Sequence, residues 1–220
     1  MLLAEDLTLL LLDDDSGRFT AHSSLDAALG GALLAELALG GWVVIGDPSG
    51  MFKRSTVRPT DAPAPGHQVL AEALAEVAAK ERSTNELVTR LGRAAKEPLL
   101  ESLAARGILR RERGRVLGLF PSTTWPTADA THEQQMRAAL TDGIATGRGD
   151  ERVIALLSVL SAIDMAHKVL PVDGLGNREI RRRVREMAEG DLSAKAVKDA
   201  VGAIDAAVTA AIVTATVTSS

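Results

Sequence analysis

Between Arg90 and Arg115 the chain sets eight cations (Arg90, Arg93, Lys96, Arg106, Arg110, Arg111, Arg113 and Arg115) against Glu97, Glu101 and Glu112. That is a net charge of +5 in 26 residues of a protein whose overall charge is −4. Arg93 and Lys96 stand three positions apart, so a continuous helix puts both on one face. There an arginine fork and a lysine ammonium can grip two oxygens of one phosphate. The basic stretch then runs into Leu117, Leu119 and Phe120, and cations beside an apolar tip suit an anionic membrane surface. Each such cation contributes about 1 kcal/mol to binding there. The plainer alternative is a solvated charged face with the apolar residues packed inward. Arg178, Arg181, Arg182, Arg183 and Arg185 pose the same choice.

No other constellation carries catalytic or cofactor chemistry. His132-Glu133-Gln134-Gln135-Met136 has Met136 where a zinc-protease helix needs its second imidazole. With no cysteine in the chain, thiolate metal sites, disulfides and cysteine nucleophiles are excluded. Gly147-Arg148-Gly149-Asp150 is short of a phosphate cradle and reads as a turn with Asp150 as helix cap. Asp13-Asp14-Asp15 reads as an acidic turn ahead of a cation site. Asp164 and His167 share a helix face, as a histidine at a core edge does. No serine sits in a nucleophile elbow. The chain therefore reads as a non-enzyme without a cofactor.

The elements that must position the basic stretch follow from pattern. At 220 residues with 46% hydrophobic and 25% charged residues, the chain is globular, and its few aromatics leave Leu, Ala and Val to build a helical core. Leu7–Leu12 is a strand or a helical turn. Leu25, Leu29, Leu33 and Leu37 mark a helix stopped at Gly40-Gly41. Trp42–Ile45 reads as a buried strand closed by Asp47-Pro48, and 60–66 as a proline-broken loop. A helix carries Val69, Leu70, Ala73, Leu74 and Val77 on its buried side. Ser83-Thr84-Asn85-Glu86 caps another, and Pro98 opens a third that ends at Gly107. Residues 108–120, broken by Gly114, read as a β-hairpin. Thr131–Gln134 has capping-box spacing, and helices follow from Val153, over Arg178–Met187 and over Ser193–Thr214.

The expectation is one domain over 1–220, mainly α, with short strands. Ala27–Gly46 is too glycine-rich, with Glu36 at its middle, to read as a membrane span. The acidic start does not fit a signal peptide. Two short helices and a basic hairpin also match a winged-helix DNA reader, although the second helix lacks base-reading Asn, Gln or Ser and the net charge is negative.

The order of these features resembles a known family. Leu7–Leu12, Gly17, and Gly31-Ala32-Leu33-Leu34-Ala35-Glu36-Leu37-Ala38-Leu39 resemble the opening of the Golgi phosphoprotein 3 family. The likeness continues through Asp61-Ala62-Pro63, Leu103–Leu109 with its hairpin, Leu119-Phe120 with Thr123-Thr124, and Arg152–Leu170. The resemblance implies a helical core with a protruding β-hairpin, on the cytoplasmic face of a membrane. It also implies a peripheral protein that binds phosphatidylinositol 4-phosphate, with membrane-protein clients and self-association through the hairpin; a protein adaptor without lipid binding is the other alternative beside the DNA reader. Of the headgroup residues, the later pair is matched by Arg93 and Lys96. The family tryptophan falls at Ala21 or His22 and its arginine at Gly30, which implies looser headgroup choice. The composition fits a bacterial member.

Overall fold

The structure, a computed structural model, describes residues 1–46, 55–116, 120–189, 202 and 206–213, with backbone alone at 115, 116, 120 and 121. The Leu7–Leu12 run belongs to helix α1 (Leu3–Leu11), in which every residue is buried. A helix enclosed on all sides needs no apolar stripe, which is why periodicity could not separate it from a strand. It packs against α2 (Leu25–Leu39), α4 (Thr84–Ala105), α5 (Thr131–Thr146) and α6 (Glu151–Ala162). The remaining helices are α3 (Gln68–Ala79), α7 (Ala166–Val169) and α8 (Asn177–Glu189), with 206–213 also helical. The architecture is mainly α with two small antiparallel strand pairs, as the sequence led us to expect. Among the described residues no helix is long and apolar enough to cross a membrane.

The tightest element pair is α2 on α4. A Cβ built on Gly30 would lie 1.7 Å from the Val88 carbonyl oxygen, and one on Gly92 would lie 1.7 Å from that of Asp26. The two helices therefore cross backbone to backbone, which only glycine permits.

Ser83 caps α4 by accepting the Glu86 amide. The helix then runs without a break through Pro98, correcting the expectation that Pro98 opens a new helix. Proline removes the bond to the carbonyl four residues back, that of Ala94, and Ala94 is solvent-exposed, so water can satisfy it. One 22-residue helix in place of two short ones also removes the helix–turn–helix arrangement that a winged-helix reader needs. Gly107, at φ 73°, ends α4 as expected.

Other boundaries moved for local reasons. The hairpin consists of β3 (Glu112–Val116) and β4 (Phe120–Thr124), not 108–120. Gly114 is no turn residue, because it pairs with Ser122 inside the ladder. β1 (Val43–Ile45) and β2 (Val57–Pro59) form a two-stranded sheet, and Val44 is 57% exposed, so this strand is only half buried. Asp47-Pro48 lies outside the described residues, as does most of Ser193–Thr214. Leu74 is only partly buried. Thr131 is already helical and caps nothing. Asp129 accepts its amide at 2.9 Å instead. Asp150 does cap α6, accepting the Val153 amide at 2.8 Å. The helix read from Val153 onward breaks at Asp164, whose φ of 53° is a left-handed turn that Asp tolerates better than most residues.

Candidate functional site

Helix α4 buries Leu87, Val88, Leu91, Gly92, Ala95 and Leu99, so Arg90, Arg93 and Lys96 fall away from the core. Their surroundings differ. Arg90 is ion-paired with Glu76 of α3, a carboxylate that also takes Arg82 at 3.2 Å. Arg93 is 77% exposed, and its Nε lies 3.6 Å from Asp26 Oδ2 in the first turn of α2, too far for a hydrogen bond. Lys96 Nζ stands 5.3 Å from the centroid of the buried Phe19 ring, within cation–π range.

Two stretches distant in sequence thus meet here: the chain from Phe19 into α2, and the exposed side of α4. Ala21 lies buried in the first stretch, and Gly30 sits in the glycine crossing. Any side chain at Gly30 would collide with the α4 backbone.

Most of the remaining excess charge is neutralised internally. Arg106 reaches Glu5 at 2.7 Å, and Arg110 pairs with Glu112 at 2.7 Å. Arg111 bridges Glu97 and Glu101 while its guanidinium stands 5.2 Å from the Trp125 ring. Leu117 and Leu119 lie outside the described residues, as does the Phe120 side chain. Three arginines of the second cluster are likewise paired: Arg181 with Asp164, Arg182 with Glu179 and Glu186, and Arg183 with Glu179. Hydrogen bonds from Arg182 and Arg183 hold the Glu179 carboxyl down to about 2.

Several of the residues weighed for catalysis have partners within the fold. Asp13 accepts the Ser16 amide at 2.8 Å, a local turn, and Asp14 accepts the Thr127 hydroxyl at 2.7 Å. His132 Nε2 lies 2.7 Å from Asp6. His167 is buried, its Nε2 3.0 Å from Arg181. Burial first, then that guanidinium, lowers its pKa below the usual histidine range. Among the described residues no group of three His, Cys, Asp or Glu could hold a metal ion.

Sequence reasoning missed an ionic cluster at the start of α1. Glu5 and Asp6 are buried in its first turn. Arg152 of α6 reaches Asp6 at 2.9 Å, Glu36 of α2 at 3.2 Å and the Met1 carbonyl at 2.6 Å. Glu5 accepts from the Leu2 amide, Ser102 and Arg106, and His67 lies 3.5 Å away. The signal was present as Glu36 inside an otherwise apolar helix, which weighed only against a membrane span.

A helical core with a glycine-crossed α2–α4 pair, a basic exposed helix face and a neighbouring β-hairpin defines the class of protein. The family model of Golgi phosphoprotein 3 (GPP34) matches residues 3–204, nearly the whole chain, and the protein belongs to this family.

Proposed function

We propose that this protein is a peripheral binder of anionic phospholipid headgroups, centred on Arg93 and Lys96 with Arg90 beside them. By family relationship, phosphatidylinositol 4-phosphate is its reference ligand and membrane proteins are its clients. The observation that carries the reading is the meeting of Arg93 and Lys96 with the segment from Phe19 to Asp26, the two stretches to which the family resemblance assigns the headgroup. Arg90 flanks the site with its guanidinium held by Glu76. Ala21 supplies no aromatic ring and Gly30 no cation where the resemblance assigns headgroup contacts, which favours broad anionic recognition over a single inositide. Leu117, Leu119 and Phe120 would enter or touch the bilayer, or join two copies.

Co-sedimentation with neutral, anionic and phosphatidylinositol 4-phosphate liposomes tests this, with duplex DNA as competitor. Binding to all anionic liposomes is expected. Arg93→Ala with Lys96→Ala should weaken it by about 2 kcal/mol, roughly thirtyfold. Unchanged binding by the double variant removes these residues from the site. Retention on DNA without liposome binding overturns the reading.

A further inference from the structure

A cleft of about 630 Å³ opens between α3 and α4, a volume in the range of small-molecule sites. Its floor is apolar: Leu33, Val69, Ala73, Leu91 and Ala95. Charged groups stand on its rim, and most are already satisfied. Glu76 takes Arg82 and Arg90, and Glu86 takes Arg82. Two rim charges keep free capacity. Glu72 is exposed and, among the described residues, accepts only the Gln68 amide, at 2.9 Å. Arg93 has one carboxylate within 4 Å among the described residues, at 3.6 Å.

One anion and one cation with hydrogen-bonding capacity to spare above an apolar floor are the complement of a zwitterionic head on an apolar chain. We propose that this cleft binds a single acyl chain carrying an ethanolamine-type phosphate head. Arg93 receives the phosphate, Glu72 receives the ammonium, and the chain lies along the floor. An ammonium donates hydrogen bonds to a carboxylate and a quaternary choline does not, so Glu72 selects ethanolamine. A glycerol head leaves Glu72 without a cation and faces it with the phosphate charge alone. The assignment rests on reading Arg93 as a phosphate ligand, and goes beyond it by naming the head class and a place for the chain.

Titration calorimetry of the full chain with lysophosphatidylethanolamine, lysophosphatidylcholine and lysophosphatidylglycerol of equal chain length, below their micelle concentrations, tests the site. The ethanolamine lipid should bind at least fivefold tighter than the other two. Glu72→Gln, an exposed change, should erase that preference, and Arg93→Ala should weaken all three. Ala94→Trp, at an exposed position in the cleft lining, should abolish binding while thermal melting shows the variant folded. Equal affinity for the three heads, or an unaltered preference in Glu72→Gln, overturns the head assignment. Full binding by Ala94→Trp overturns the chain site. Anionic-liposome sedimentation of the same protein separates the two readings. Liposome binding without lysolipid binding removes the cleft alone, and the reverse removes the surface reading alone.

Discussion

Two groups of charges in this protein face opposite conditions. At the start of α1, Glu5 and Asp6 are buried, with Glu36 close by. Their charge is met by Arg106 and Arg152 at 2.7–3.2 Å and by histidines from two other elements. On α4, Arg93 and Lys96 face outward with one distant carboxylate and one aromatic ring between them. The first group gathers α1, α2, α4, α5 and α6 at one point, and its carboxylates are taken up by partners within the fold. The second holds nothing together and keeps its hydrogen-bonding capacity. Charge that organises a fold and charge available for recognition can therefore be told apart by counting what each group already binds.

The contrast is broken most directly through Arg152. Arg152→Ala leaves Asp6 with only His132 and Glu36 with only the Leu3 amide in a low-dielectric setting. The expected loss is about 3–5 kcal/mol of stability, as when one partner of a buried pair is removed. Urea unfolding measures it. A loss below about 1 kcal/mol would place the cluster with ordinary surface pairs. The double variant of Arg93 and Lys96 should instead stay within about 0.5 kcal/mol of the parent while losing liposome binding.

The α2–α4 crossing under the exposed row gives the next largest effect. Gly30→Ala must push the α4 backbone away, at a cost of about 1–3 kcal/mol or more, and should shift the row relative to Phe19 and Asp26. Thermal unfolding reads the first effect and liposome affinity the second. Stability equal to the parent would show that the helices part freely at this crossing.

The buried group should also titrate where the exposed one does not. Burial pushes the Glu5 carboxyl up, but the Leu2 amide, Ser102 and Arg106 outweigh it and hold the pKa below the usual value. A carboxyl depressed in the folded state contributes stability that is complete above its unfolded pKa, about 4.3, and is lost as the pH falls through the folded value. Parent stability should therefore decline in that acid window. Glu5→Gln should start less stable and decline less steeply there. Parallel acid limbs would mean that Glu5 does not gain from its partners.

Much of this was legible in the sequence. The α2 stripe, the Ser83 and Asp150 caps and the Gly107 stop follow from periodicity and cap chemistry, which are local. Arg93 and Lys96 were legible as a spaced pair, and the family likeness followed from the order of motifs. What escaped depends on contacts between distant segments. Nothing local marks Pro98 as tolerated inside α4, since that depends on the Ala94 carbonyl facing water. Nothing local pairs Glu36 with Arg152, 116 residues away. The +5 of the basic stretch exceeded what remains available, because Arg90, Arg106 and Arg111 find carboxylates in the folded chain.

Asp26 gives the smallest and most discriminating effect. It is the carboxylate nearest Arg93, half-buried in the first turn of α2, where a negative charge also favours the helix dipole. Asp26→Asn removes the competing charge without emptying the position. An exposed pair at 3.6 Å is worth well under about 1 kcal/mol, and the lost dipole term about 0.3–1 kcal/mol. The variant should therefore be slightly less stable yet bind anionic liposomes about two- to fivefold more tightly, with the gain fading as salt screens both interactions. Loss of stability with no gain in affinity would mean that Arg93 meets no phosphate. A gain that survives high salt would mean that Asp26 acts by shape, and the row on α4 would then owe its selectivity to packing.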